Sequence, residues 1–225
     1  MQDKSAGHHP AVEQYLETLL ELEESGIVPM RARLVERLGV SAPAVSETVK
    51  RLEREGYVTL DADRILHLTA TGREYGSTVL RRHRLAEALL VEVLKVPWAE
   101  VHDEACRLEH AISGNLEKYL VALLGDPGTS PYGNTIPGSA NAVDPGPVRP
   151  LSSVAVGDTV IVRRIDEYLQ TNVASMRALD VGHLRPGTRL TLAETERGRH
   201  ALRIEGQSTD LIVDDAVADG VYVSV

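Results

Sequence analysis

The chain has 225 residues, a formal net charge of −9, one cysteine and no phenylalanine. That length suits two or three small domains; no apolar run approaches the ~20 residues a bilayer span needs, and a lone cysteine excludes an internal disulfide framework and fits a reducing, cytoplasmic setting. The opening MQDKSAGHHP has no apolar core and does not read as a signal peptide, while the acidic balance argues against nucleic-acid binding unless Lys and Arg gather on one face.

In chain order, Val12, Tyr15, Leu16, Leu19 and Leu20 recur at i, i+3, i+4, i+7 and i+8. This predicts an amphipathic helix ending near Ser25-Gly26. A second helix over Arg31 to Leu38 turns Leu34, Val35 and Leu38 inward. After the break at Gly39-Val40, Ser41 is a good N-cap and Pro43 is tolerated in a first turn. The third helix runs to about Glu55 with Val45, Val49 and Leu52 toward the core, and Gly56 stops it. Tyr57–Leu60 and Ile65–Leu68 then alternate as two short strands around Asp61-Ala62-Asp63-Arg64.

Helix, helix, short turn, helix, hairpin is the order of a winged helix-turn-helix, whose third helix enters a DNA major groove. Lys50, Arg51 and Arg54, with Arg31, Arg33 and Arg37, supply phosphate contacts. Ala42 and Pro43 suit thymine methyls, Glu47 suits cytosine N4, and Ser41, Ser46 and Thr48 complete the DNA-facing set. A winged helix used as a protein–protein module would leave the same face solvated, and that alternative stays open. Glu47 is the awkward member, because an unpaired carboxylate is repelled by phosphate.

Leu80, Leu85, Leu89 and Leu90 mark a further helix carrying His83 and Glu87 at i, i+4. That spacing also describes an ordinary surface ion pair. After Lys95-Val96-Pro97-Trp98 comes His102-Asp-Glu-Ala-Cys-Arg-Leu-Glu-His110. At 100° per residue, His102, Cys106, Glu109 and His110 share a stripe about 100° wide. Imidazole, thiolate and carboxylate together suit a first-row transition metal; the competing reading is a polar helix face that happens to carry two histidines. Asn115 to Leu124 forms another helix. Helices joined by short loops pack antiparallel, so the His83/Glu87 face and the His102 stripe are expected to confront each other.

Six of the eleven prolines fall between Asp126 and Pro150. Its second half, Ser139 to Pro150, reads as a flexible tether. Beyond it, short apolar runs at 160–162, 190–192, 201–204, 210–213 and 221–223 predict a small all-β barrel, and Asp166 to Gln170 reads as a short polar loop. The donors alone would also suit a metalloenzyme or a metal store. No HExxH pattern and no nucleophile–base set accompany them.

On these residues the sequence resembles the iron-dependent regulator family, founded by the diphtheria toxin repressor. The matching text is Leu22-Glu23-Glu24, Arg31-Ala32-Arg33, the Ser41–Gly56 helix, Leu68-Thr69 with Thr71-Gly72, His83-Arg84-Leu85-Ala86-Glu87, and Val101 to Arg107 with Glu109-His110. The likeness covers essentially the whole chain. It implies a multi-domain α+β fold: a winged helix-turn-helix over 1–77, an α-helical dimerisation and metal-binding domain over 78–138, a tether over 139–150, and a C-terminal SH3-like β-barrel over 151–225.

The resemblance further implies a cytoplasmic, homodimeric transcriptional repressor rather than an enzyme. It would bind palindromic double-stranded operator DNA and control metal-homeostasis genes, with no membrane and no small-molecule substrate. Fe2+ would activate it at two sites per subunit; Mn2+ is the alternative, and Co2+, Ni2+ or Zn2+ would substitute in vitro. The ancillary site would use His83, Glu87, His102, Glu167 and Gln170; the activating site would use Gln14, Cys106, Glu109 and His110. Gln14 stands where the family has methionine, and an amide oxygen is harder than a thioether, which weakens discrimination for Fe2+ against Mn2+. Glu47 stands where iron regulators carry Gln. An anion site would take Arg84, Ser130 and Asn134, residues that by themselves read as a surface Arg and an ordinary turn. The third domain would also hold the Pro-rich tether when metal is absent.

Overall fold

The computed structural model describes residues 10–144 and 146–224. The opening residues read above for a signal peptide lie largely outside them. The described chain forms two compact units, one of residues 10–83 with 109–113 and one of 84–108 with 114–224.

The first unit contains α1 (Pro10–Glu24), α2 (Arg31–Leu38), α3 (Ala42–Arg54), the antiparallel hairpin β1 (Val58–Leu60) and β2 (Leu66–Leu68), and most of α4 (Ala70–Ala88). Gly39, at φ 64°, ends α2 in the left-handed region that only glycine adopts without strain. Ser41 Oγ then accepts from the Ala44 amide at 3.4 Å and starts α3, with Pro43 in its first turn. The core joins Val12, Leu16, Leu19 and Leu22 of α1 to Leu34 of α2, Val45, Val49 and Leu52 of α3, and Val58 and Leu66 of the hairpin. Burying each such side chain contributes roughly 1.5–3 kcal/mol, so α1 and the recognition helix α3 share one packed body. The hairpin's base is locked to α4: Thr69 Oγ1 donates to Gly56 O at 2.7 Å and accepts from Gly72 N at 3.0 Å. A Cβ at Gly72 would stand 1.9 Å from the Tyr57 carbonyl oxygen, so only glycine allows this approach. The α4 helix runs without a break through positions 77 and 78.

The second unit continues α4 into a π turn over Leu89–Val93, followed by α5 (Val101–Leu108) and α6 (Gly114–Leu124). Its C-terminal part is a six-stranded antiparallel sheet in the order β3-β8-β4-β5-β6-β7. The strands are β3 (Arg149–Pro150), β4 (Thr159–Ile165), β5 (Arg189–Glu196), β6 (Arg199–Ile204), β7 (Leu211–Asp214) and β8 (Val221–Ser224). All five expected runs form strands, but the domain is not all-β. The expected loop at Asp166–Gln170 is helix α7 (Glu167–Gln170), begun by Asp166 Oδ1 accepting from Tyr168 N at 2.8 Å. Helices α8 (Val173–Val181) and α9 (Asp215–Gly220) start on Asn172 and Asp214, each a side-chain cap. Nor is the start of the tether loose. Asp126 accepts from Asn141 Nδ2 and Ala140 N, both at 2.9 Å, and from Ser139 Oγ at 3.3 Å.

The loop before the tether seats the sheet within this unit. Tyr132 Oη donates to Trp98 O at 2.6 Å, and Tyr132 O accepts from Ile165 N at 2.9 Å. Arg177 pairs with Glu100, and Arg185 lies over the Trp98 ring at 5.0 Å.

Candidate metal centre

Helix α1 has two working faces. Its apolar residues enter the winged-helix core, and Glu13 and Glu17, one turn apart, are both buried on another side. Glu17 Oε1 lies 3.8 Å from His83 Nδ1, and Glu109 Oε2 lies 2.6 Å from the same nitrogen. Glu13 Oε2 lies 2.7 Å from His110 Nδ1, and His110 Nε2 lies 3.4 Å from Glu109 Oε1. Donor atoms of Glu17, His83 and Glu109 all fall within 4.8 Å of one another. The cluster thus joins α1, α4 and the turn after α5 inside the first unit.

Three carboxylates against two imidazoles leave this cluster negative whether or not the imidazoles carry protons. Buried negative charge is expensive unless a cation answers it. Carboxylate oxygen and imidazole nitrogen are donors that Mn2+ and Fe2+ accept. The residues present therefore fit a divalent transition metal.

The stripe drawn at 100° per residue holds only to Leu108. Glu109–Ala111 tighten into a 3-10 turn, which advances about 120° per residue. Glu109 and His110 accordingly belong with His83 and α1, whereas His102 and Cys106 belong to the second unit. Gln14 is exposed, and its backbone carbonyl accepts from Thr18 Oγ1 at 2.8 Å. One residue earlier and three residues later, α1 turns Glu13 and Glu17 inward instead. Those two acids were missed in the sequence; their signal is a pair of carboxylates at i, i+4 interleaved with the apolar Val12, Tyr15, Leu16, Leu19 and Leu20.

In the second unit, His102 stands between Glu87 and Cys106: His102 Nδ1 is 3.7 Å from Glu87 Oε1, and Cys106 Sγ is 3.6 Å from His102 Nε2. Glu87 is fully buried. Glu167, an expected metal ligand, pairs with the fully buried Arg84, whose Nε and Nη2 reach Glu167 Oε1 at 3.0 and 2.6 Å. Arg84 also donates to the Thr135 carbonyl. Gln170 donates from Nε2 to Ile165 O at 2.8 Å, and its buried Oε1 meets no hydrogen-bond donor among the described residues.

The expected anion residues are also engaged. Asn134 Nδ2 donates to Ile165 O at 2.8 Å, Ser130 Oγ accepts from Tyr132 N at 3.2 Å, and Arg84 holds Glu167. Arg84 is no surface residue: its guanidinium ties its stretch of α4 to α7 and to the loop carbonyl of Thr135.

On the winged helix, Ser41, Ala42, Pro43, Glu47 and Lys50 are exposed, and Ser46, Thr48 and Arg31 are half-buried. Arg33 pairs with Glu36 and Arg51 with Glu55, each at 2.8 Å on the surface. Such pairs are weak and leave both guanidinium groups available to phosphate. No helix among the described residues is long and apolar enough to cross a membrane.

Comparison with known proteins agrees along the whole chain. Residues 9–66 match the iron-dependent repressor N-terminal DNA-binding domain, residues 69–138 the iron-dependent repressor metal-binding and dimerisation domain, and residues 149–225 the FeoA domain, which is SH3-like. The iron-dependent repressor of Mycobacterium tuberculosis is 43% identical over 204 residues, covering 86% of this chain and 88% of its own. The diphtheria toxin repressor of Corynebacterium glutamicum is 42% identical over 215 residues, covering 92% and 93%. Among solved structures, a manganese-dependent transcriptional repressor in complex with manganese superposes with a TM-score of 0.83 at 32% identity, covering 94% of this chain and 98% of that one. The chain belongs to the iron-dependent repressor family, a family of metal-dependent transcriptional repressors and not of enzymes.

Proposed function

We propose that this chain is an Fe2+-activated transcriptional repressor, binding two metal ions per subunit and recognising palindromic operator DNA as a homodimer in the cytoplasm. The observation that carries the reading is α1. Its apolar face packs with the recognition helix α3, and its acidic residues reach the histidines of the buried cluster. Whatever fixes the acidic residues also fixes the helix on which the DNA-reading body is built.

The ligands of the first unit would be His83, Glu109 and His110, joined by Glu17 in preference to the exposed Gln14. Those of the second would be Glu87, His102 and Cys106, with Glu167 and Gln170. A bound divalent cation supplies the positive charge that the buried carboxylates call for. Glu17, His83 and Glu109 then hold α1, α4 and the turn after α5 in one arrangement, which the metal favours by binding it better than others. Thiolate, carboxylate and neutral imidazole must all be deprotonated to ligate, so metal binding weakens in acid.

The dimer surface is proposed on α6. Leu116, Tyr119 and Leu123 recur at i, i+3 and i+7 and are 44%, 67% and 61% exposed. An apolar stripe of that kind marks an interface. Operator contact falls to Arg31, Arg33, Lys50 and Arg51 on phosphates and to Ser41, Ala42, Pro43, Ser46, Glu47 and Thr48 at base edges. The modules proposed for these tasks remain 1–77, 78–138, the tether 139–150 and 151–225.

One observation favours Mn2+ as a second reading: Glu17 offers a hard oxygen donor from α1, which suits Mn2+ better than a thioether would. A gel shift on a palindromic operator, with chelator and then with Fe2+ or Mn2+ restored, tests the proposal. Retardation in the metal lanes alone is expected, and equal retardation with chelator would sink it.

A further inference from the structure

The buried cluster has an outer layer that the ligand sets leave unused. Tyr75, on α4, donates its hydroxyl to Glu13 Oε1 at 2.7 Å. The other oxygen of Glu13 faces His110 Nδ1 at 2.7 Å. Both oxygens of this buried carboxylate are therefore occupied, one by a phenol and one by an imidazole. Burial, and then the hydrogen bond to Glu13, push the Tyr75 phenol well above its ordinary range, so it stays a hydroxyl and a donor.

An ionised carboxylate only accepts hydrogen bonds. In that pairing Nδ1–H donates to Glu13, and Nε2 is the ring nitrogen turned toward the ligand side. Nε2 faces Glu109, which in turn contacts His83. Ligating histidines are commonly held this way, one ring nitrogen on a carboxylate and the other on the metal.

We infer that Glu13 and Tyr75 are positioning residues for the metal centre: Tyr75 orients Glu13, and Glu13 fixes the Nδ1–H tautomer and ring angle of His110 so that Nε2 is the donor atom. The inference rests on the metal-binding reading of the first unit. It also places a second α1 carboxylate in the metal response, distinct in role from Glu17, and it draws in a residue of α4 near the winged-helix core, where the Tyr75 ring packs tilted against Tyr57 at 5.7 Å.

The test uses the full-length chain and Co2+ alone, followed by its visible absorption. His110→Ala must first weaken one Co2+ equivalent; if it does not, the reading of the site fails whatever Glu13 does. For that same equivalent, Glu13→Ala is expected to cost about 10–100-fold in affinity, the usual effect of losing such a partner. Glu13→Gln is expected to recover much of the loss, because its amide oxygen still accepts from Nδ1–H, and Tyr75→Phe to cost least. Unchanged affinity in Glu13→Ala, with His110→Ala impaired, would overturn the inference. So would a Glu13→Gln spectrum showing a lost ligand, which would make Glu13 a ligand itself. Should Glu13→Ala fail to fold, long-range 1H–15N correlation on the metal-free wild-type protein decides. Nδ1–H with bare Nε2 at His110 supports the assignment, and Nε2–H or a doubly protonated ring contradicts it.

Discussion

His83 and Arg84 are neighbours on α4, yet they answer buried carboxylates in different ways. Arg84 belongs to the second unit and grips Glu167 with two guanidinium nitrogens. His83 belongs to the first and meets Glu109 and Glu17 with a single imidazole. A guanidinium is permanently charged and forked, so the Arg84–Glu167 pair is a structural clasp. An imidazole between carboxylates makes a negative pocket of metal donors. Without metal the fold thus pairs Glu167 with a guanidinium and holds Glu17 and Glu109 in a set that a divalent cation completes.

The largest effect should come from breaking the clasp. Arg84→Met leaves Glu167 buried without its cation and is expected to cost about 3–5 kcal/mol, read by thermal unfolding in chelator. Adding Glu167→Gln should return most of that loss. Unchanged stability in Arg84→Met would mean that Glu167 and the pocket acids Glu17 and Glu109 do not differ in need, and the contrast would collapse.

Next comes the donor pocket. Glu109→Gln should lower Fe2+ and Mn2+ affinity by about 10–100-fold, an outer-partner loss being the lower bound for a ligand. Its metal-free stability should change less than that of Arg84→Met. Calorimetric titration and thermal unfolding on one preparation separate these outcomes.

Packing gives a control for both. Gly72→Ala drives a methyl toward the Tyr57 carbonyl and should destabilise the first unit by roughly 1–3 kcal/mol. Because no donor moves, Co2+ affinity should be retained. Loss of metal binding here would show that the pocket depends on the wing and is not a property of its own side chains.

The smallest effect lies in the wing. Asp61 accepts from His67 Nε2 and Ile65 N, both at 2.8 Å, and the hydrogen bond from His67 chiefly holds its carboxyl below the ordinary carboxylate range. A depressed folded value means that the group's stabilisation is present above the unfolded pKa and is lost as pH falls through the folded one. Protection of the Ile65 amide against hydrogen exchange, relative to an unstructured amide at the same pH, should therefore fall on acidification below about pH 4, and Asp61→Asn should remove that dependence.

Much of the fold was legible because periodicity and punctuation agree. Leu34, Val45, Val49 and Leu52 lie where the 3.6-residue pattern put them, and Ser41 caps the recognition helix as its residue type predicts. Of the expected C-terminal strands, β5 and β6 alternate in burial, whereas Val221, Tyr222 and Val223 of β8 are all buried. Helices α7, α8 and α9 were not legible, because each is too short for a periodic pattern and rests on a single cap at Asp166, Asn172 or Asp214. The candidate site was read in part. His83, Glu109 and His110 were found, but extending one helix through Glu109 hid the 3-10 turn that regroups them. Glu13 and Glu17 were overlooked because acids within an apolar stripe reveal burial only once their partners, nearly 70 or more residues away, are in place. Arg84 looked like a surface residue for the same reason.

The most direct measurement is anomalous scattering at the iron and manganese edges from crystals of the full chain soaked in Fe2+ and in Mn2+. A peak within bonding distance of Glu17, His83 and Glu109 is expected, with Gln14 turned to solvent. A peak ligated by Gln14, or none near the α1 carboxylates, would contradict the central claim that metal acts on the DNA-reading body through the acidic residues of its first helix.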